Sequence, residues 1–279
     1  MRVKFWGTRG SIPTPGRTTE KYGGNTSCVE VTHGGRRVIL DGGTGIRELG
    51  IRMAGEEPSE VVILFSHCHW DHIQGLPFFV PFFKKGFRFR IAAPPHLSRR
   101  IKAILGKQMA SEVFPVDFAD LGSDISFKEM PASGVKVGPF RIRHFALNHP
   151  GGSAGYRIEA GGTSLVYATD HEFAPQDDPR TFDAFVRHLK GAHLYIADGQ
   201  YVEKEYAERH GWGHSTVEHV VAAAKAARVL RLAVTHHDPM HDDPALTGFE
   251  HDAMKQHPGL EIFFAREGIA VEVRDTLRP

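Results

Sequence analysis

Cysteine is nearly absent from this sequence: 279 residues contain two, Cys28 and Cys68. One bridge cannot staple a chain of this size, so a disulfide scaffold is excluded and both residues read as reduced thiols. No stretch approaches the roughly 18–20 consecutive apolar residues that a membrane span needs, so no membrane partner is expected. The first residues enter a strand-like pattern without an apolar leader or a cleavage site, and a cytoplasmic protein is expected. Charge of one sign is also missing. The 34 Lys+Arg and 33 Asp+Glu leave a net +1, too little for a field that would hold a stable nucleic-acid partner. Repeats of fixed period, low-complexity tracts and linker-like stretches are absent too, so residues 1–279 are expected to form a single domain.

What remains is the composition of an ordinary globular chain, 41% apolar and 24% charged, with one excess: 18 histidines. Histidine is the commonest metal ligand and the usual acid–base group near neutral pH.

Short β-branched or aromatic runs bounded by turn residues predict strands at 3–6, 28–32, 37–40, 61–65, 87–92, 140–146, 155–159, 164–168, 194–197, 230–234, 262–264 and 270–273. Apolar residues at helical spacing predict helices over 95–110, 179–190, 216–228 and, more weakly, 244–256. Several successive strands lack a helix between them. This favours an α/β arrangement of sheet on sheet with outer helices over a purely parallel sheet.

The strongest motif is Ser66-His67-Cys68-His69-Trp70-Asp71-His72, an H-x-H-x-D-H directly after the apolar run 61–65. Four ligand-capable side chains in six residues cannot all be buried without partners, which would cost several kcal/mol. A tight loop after a strand can turn His67 and His69 toward one ion and Asp71 and His72 toward a second. Imidazole with carboxylate suits Zn²⁺, Mn²⁺ or Fe. His149, Asp170 and His236 each follow the C-terminal end of a predicted strand, where a shared rim would gather them.

A second segment, Gly211-Trp212-Gly213-His214-Ser215-Thr216-Val217-Glu218, carries Ser215 and Glu218 at capping-box spacing. His214 is thus the last loop residue before a helix, after two glycines that free the backbone to bring it into a cleft.

These motifs, together with Gly7-Thr8-Arg9-Gly10-Ser11, Tyr22-Gly23-Gly24-Asn25-Thr26-Ser27, Asp41-Gly42-Gly43-Thr44-Gly45 and Thr235-His236-His237, resemble the metallo-β-lactamase superfamily. More narrowly they resemble its phosphodiesterase branch, which includes ribonuclease Z and bacterial cyclic-phosphate phosphodiesterases. The resemblance implies a four-layer αββα sandwich with two divalent metal ions at one edge, most simply Zn²⁺. It implies His67, His69 and His149 on the first metal, Asp71, His72 and His236 on the second, and Asp170 between them. His237 is expected to support the site rather than to ligate, and His144 and His171 are not expected to touch metal. The resemblance further implies that water activated by the cations and steadied by Asp71 attacks phosphorus. His214, oriented by Asp198, would protonate the leaving oxygen.

The substrate expected is a small phosphodiester, a cyclic nucleotide or a ribose cyclic phosphate. The alternative is a ribonuclease Z-like tRNA 3′-processing endonuclease. Only a short Pro/Asp-rich loop and one helix separate 164–168 from Asp198, which leaves no long Gly-rich insertion to grip tRNA. A non-catalytic metal-binding module is the reading from a different class. Asp41 is read as orienting the His loop. Asn25, Thr26, Ser27, Arg9 and Ser11 are candidates for the pocket rim. The basic, Phe-rich stretch 78–107 reads as a solvated face over buried rings, or as a lid or subunit contact; with the resemblance it points to a homodimer.

Overall fold

A computed structural model describes residues 1–173 and 179–274 of the chain. Two seven-stranded mixed sheets form its centre. The first runs, edge to edge, β14 (Ala270–Glu272), β1 (Arg2–Gly7), β2 (Cys28–His33), β3 (Arg36–Leu40), β4 (Glu60–Leu64), β5 (Arg88–Ala93) and β6 (Asp124–Glu129). The second runs β13 (Glu261–Phe264), β12 (Arg231–Thr235), β11 (Leu194–Asp198), β10 (Thr163–Ala168), β9 (Ser153–Ala160), β8 (Phe140–Leu147) and β7 (Val135–Val137). In each sheet one half is antiparallel. The other half, β3 to β6 or β10 to β13, is parallel.

The strand sequences explain why four layers form. In β3, β4, β10 and β11 the residues from Val38, Val61, Leu165 and Leu194 onward form unbroken runs of three to five buried, mostly apolar side chains, because both faces are covered. Val38 and Leu40, Val62 and Leu64, Leu165 and Tyr167, and Leu194 and Ile196 point into one core between the sheets. Their neighbours Ile39, Val61 and Ile63 face a second core under α1 (Ile46–Ala54) and α3 (Pro95–Gln108). Val166, Tyr195 and Ala197 face a third under α4 (Pro179–Leu189), α6 (Val217–Ala226) and α7 (Asp243–Gln256). Burial contributes about 1.5–3 kcal/mol for each large aliphatic side chain, so a strand apolar on both faces is stable only inside this sandwich. The αββα architecture implied by the sequence is the one formed.

The strands and long helices lie where the apolar runs place them, with ends shifted by a residue or two. Strands β6 and β7, helix α1 and the one-turn helices α2 (Trp70–Ile73) and α5 (Glu203–Tyr206) come in addition to those expected. The cap of α6 is a correction. Thr216, not Ser215, is its N-cap, and the Thr216 hydroxyl accepts from His219 N–H at 3.1 Å. Ser215 is drawn away from that role by contacts to His171 and Phe173. The Pro/Asp-rich loop at 174–178 lies outside the described residues.

Candidate metal centre and proton donor

Strand ends deliver the side chains. Asp41 follows β3, the 66–72 loop follows β4, His149 follows β8, Asp170 follows β10, and His236 follows β12; Asp198 closes β11. Three of these residues have a left-handed backbone, Asp41 (φ 60), Asp170 (φ 59) and His236 (φ 61). That conformation costs of order 1–3 kcal/mol for a non-glycine residue and persists only where the surroundings enforce it. It turns each side chain sharply off its strand axis toward the common rim.

The side chains form two adjoining groups. Ligand-capable atoms of His67, His69 and His149 lie within 4.8 Å of one another, as do those of Asp71, His72, Asp170 and His236. Across the gap between groups, Asp170 Oδ1 is 3.8 Å from His67 Nε2 and 3.3 Å from His236 Nε2, and its Oδ2 is 3.3 Å from His72 Nε2. His236 Nε2 is 3.0 Å from Asp71 Oδ2. All these residues are buried except His69. A third grouping with the same spacing joins Asp198 and His214 to Asp170 and His236. Distance alone therefore permits a cation there too.

The imidazoles are held by their outer nitrogens. His72 Nδ1 meets Asp41 Oδ2 at 2.8 Å, His149 Nδ1 meets the Gly213 carbonyl at 2.9 Å, His236 Nδ1 meets Gln200 Oε1 at 2.8 Å, and His67 Nδ1 meets Ser66 Oγ at 3.0 Å. Such contacts fix the tautomer and leave the inner lone pair free for a metal. The inner nitrogens then face each other: His69 Nδ1 and His149 Nε2 at 3.1 Å, His72 Nε2 and His236 Nε2 at 3.3 Å. His67 Nε2 is buried with no hydrogen-bond partner. An orphaned buried nitrogen beside paired lone pairs and two carboxylates is the donor set of a divalent cation site, so the residues fit the metals that the sequence implies.

The field across the centre is uneven. Burial opposes a charge on His72, but Asp71, Asp170 and Asp41 outweigh it and raise the imidazole well above its ordinary 6.5. His236, under the same opposing effect of burial, is pushed up to about 9 by Asp170 and Asp71. His67 goes the other way, lowered by burial and by the neighbouring His72. Burial works against ionised Asp170, but His236, His72 and His67 hold its carboxyl well below the ordinary range.

A cavity of about 410 Å³ opens over the centre, lined by Ser11, Cys68, His69, Trp70, Asp71, Asp170, His214 and His236. His214 Nδ1 sits 2.6 Å from Asp198 Oδ2. A separate cavity of about 300 Å³, walled by Val217, Val221, Phe249 and Ala253, shares none of these residues.

Residues 36–237 match the Beta-lactamase superfamily domain. The chain belongs to that superfamily. Ribonuclease Z of Agathobacter rectalis is 25% identical to it over 284 residues, covering 86% of this chain and 88% of that protein. Ribonuclease Z of Metallosphaera sedula is 24% identical over 278 residues, covering 85% and 88%. The fold is shared with human tRNase Z, short form (TM-score 0.70, 19% identity, 99% of this chain and 100% of that one). It is shared as well with a diphosphatase from the PhnP family (TM-score 0.69, 19% identity, 98% of each chain).

In this superfamily member the other candidates fall as follows. Asp41 accepts from Ser66 N–H at 2.7 Å, Ser66 Oγ at 2.8 Å and Tyr167 Oη at 2.7 Å, besides facing His72. His237 points away from the centre, to Ala265 O at 2.8 Å, and burial pushes its imidazole down to about 3. His171 is stacked on Phe185, and burial likewise lowers it to about 3. Neither it nor His144 belongs to any of the three groupings. Of the rim candidates only Ser11 lines the cavity, its N–H donating to Asp71 Oδ2 at 2.8 Å. Arg9, Thr26 and Ser27 are buried, and Asn25 bonds Glu267. In the Phe-rich stretch, Phe79, Phe82, Phe87 and Phe89 are core, whereas Phe78 and Phe83 are exposed. Trp70, Gln200 and Glu172 were not legible as site residues. Trp70 only lines the cavity, and Gln200 and Glu172 act through contacts to residues distant in sequence, which leave no pattern. Among the described residues no helix is long and apolar enough to cross a membrane.

Proposed function

We propose that this metal-dependent hydrolase cleaves a small phosphodiester, a cyclic nucleotide or a ribose cyclic phosphate, with His214 as proton donor to the leaving oxygen. The observation that carries the reading is the 2.6 Å contact of His214 Nδ1 with Asp198 Oδ2. It lies at the wall of the cavity that Asp71, Asp170 and His236 also line.

His67, His69 and His149 would hold one divalent cation and Asp71, His72 and His236 a second, with Asp170 shared. Zn²⁺ suits this donor set best, and Mn²⁺ or Fe fit it too. Bound there, such cations neutralise phosphoryl oxygens and lower the pKa of water from 15.7 to about 7.

The chain's own residues supply the rest. Asp198 accepts from Asp170 N–H at 3.1 Å and Gln200 N–H at 3.0 Å, so its carboxylate is fixed before it meets His214. When the ring is charged, Nδ1–H is given to Asp198 and Nε2–H is left for the cavity. Transfer of that proton to the departing alkoxide leaves a neutral ring in the tautomer that Asp198 selects. Ser11 N–H, His72 Nε2 and His236 Nε2 all meet Asp71 at Oδ2, which leaves Oδ1 to orient an incoming water.

The likeness to ribonuclease Z favours a second reading, a tRNA 3′-processing endonuclease. Against it stand the near-zero net charge of +1 and the absence, among the described residues between β10 and β11, of any element but α4. A panel of 2′,3′-cyclic, 3′,5′-cyclic and linear phosphodiesters beside a precursor tRNA, at two salt concentrations, separates the two. Steeply salt-dependent cleavage of tRNA alone would overturn the small-substrate reading.

His214→Ala is expected to retain two equivalents of metal and to lose about 10²–10⁴-fold in turnover on a diester with an alkoxide leaving group. Lost metal would make His214 a ligand instead, and unchanged turnover would remove the proton-donor assignment. A single domain over 1–279, a cytoplasmic setting for the free thiols Cys28 and Cys68, and a homodimer belong to the same reading. Light scattering on the purified chain tests the homodimer.

A further inference from the structure

Two segments flank the cavity. One, 170–173, leaves β10 and carries Asp170; the other, 211–215, runs into α6 and carries His214. A buried carboxylate on the first stitches them together. Glu172, 4% exposed, accepts from Gly211 N–H through Oε1 at 2.7 Å and from Gly213 N–H through Oε2 at 2.8 Å. Tyr206 Oη donates to Oε1 at 2.7 Å. The backbone of Glu172 is anchored in turn: its N–H donates to Asn148 O at 2.9 Å, and Asn148 Nδ2 donates to its carbonyl at 2.9 Å. Ser215 adds a second stitch on the far side of His214, donating to His171 O at 2.5 Å and accepting from Phe173 N–H at 3.2 Å.

His214 is therefore held between two pinned neighbours, Gly213 and Ser215. Gly213 also provides the carbonyl that meets His149 Nδ1 at 2.9 Å. It has φ +92, and a Cβ there would collide with His149 Nδ1, so the loop approaches as closely as a chain can. Carboxylates are almost never fully buried without partners. Here the partners are loop amides, which a neutral packing residue would leave unsatisfied.

We infer that Glu172 is a positioning residue of the reaction: its carboxylate fixes the 211–213 loop, and so holds the His214 ring on Asp198 and the Gly213 carbonyl on His149. This rests on the reading of His214 as proton donor. The carboxylate lies outside both the cavity lining and the groupings of candidate ligands. It acts through the amides of the loop, and both of its oxygens are needed because the two amides lie two residues apart.

The test uses the zinc-loaded chain and two linear phosphodiesters, one with a p-nitrophenolate leaving group, which needs little protonation, and one with an alkoxide. Glu172→Gln keeps the shape but sets an amide NH₂ against one of the loop amides. It is expected to lower kcat on the alkoxide substrate at least tenfold more than on the p-nitrophenyl substrate. KM and metal content should stay near wild type, and the far-downfield Nδ1–H proton resonance of His214 should broaden or vanish. Added to His214→Ala, it should cost nothing further on the alkoxide substrate. Glu172→Asp, which keeps the charge but cannot span both amides, should give the same pattern and serves if the Gln variant fails to fold. Equal loss on both substrates, or an unshifted His214 resonance, would overturn the inference and leave Glu172 a structural residue. If His214→Ala itself shows no preference between leaving groups, the proton-donor reading fails and this inference with it; if it does and Glu172→Gln does not, the inference fails alone.

Discussion

Asp41 is the residue on which most of the centre's order converges. Its carboxylate meets His72, Ser66 N–H, Ser66 Oγ and Tyr167 Oη, so it ties the first sheet, the histidine loop and the second sheet at one point. Asp41→Ala would strand these buried donors. Removing one partner of a buried pair costs about 3–5 kcal/mol, and loss of such an outer contact weakens metal binding about 10–100-fold. Urea unfolding of the metal-free protein should read the first, and competition with a chromophoric chelator the second. At this scale the sequence was informative where ligands are neighbours. His67, His69, Asp71 and His72 share one short loop, so their types and spacing announce a site. Gln200 and Glu172 are defined by which atoms they happen to meet, an imidazole in one case and loop amides in the other, and residue type does not encode that.

Among the elements, those with both faces buried were the most legible. The apolar runs of β3, β4, β10 and β11 exist because each alternate residue enters a different core. Strand β6 is not legible because it is half exposed and largely polar, and β7 because it is only three residues long and no more than half buried. Helix α1 escaped because Gly42-Gly43-Thr44-Gly45 immediately before it reads as loop, and only Ile46, Leu49, Gly50 and Met53 mark its buried stripe. The start of α6 shows the limit of a local rule. Ser215 and Glu218 have the spacing of a capping box, but tertiary contacts to His171 and Phe173 claim the Ser215 hydroxyl, and the cap moves to Thr216. Thr216→Ala should therefore cost about 1 kcal/mol of stability, seen as a lower urea midpoint at unchanged slope, while Glu218→Ala should cost much less.

For the molecule as a whole, the decisive feature is that two half-parallel sheets point the ends of β4, β8, β10, β11 and β12 at one rim. Loops from both sheets that carry the proposed ligands meet there, so metal bound to them would link the docking of sheet on sheet to metal binding. Chelation is expected to lower the thermal midpoint and added Zn²⁺ to restore it, because a ligand at 100 times its Kd stabilises the folded state by about 2.7 kcal/mol. A midpoint indifferent to chelator would count against the proposed ligands. The sequence by itself determined the inventory: a histidine–aspartate loop after a buried strand, further candidate ligands at strand ends, and successive apolar strands without helices between them, which favour sheet on sheet. It could do so because those signals are local. Only the tertiary structure decided how the rings among the 18 histidines are aimed. His236 and His237 are adjacent, yet the left-handed turn at His236 aims one ring at Asp71 and Asp170 and the next at Ala265 on the opposite side. Direction, unlike residue type, is fixed by the backbone that the rest of the fold imposes.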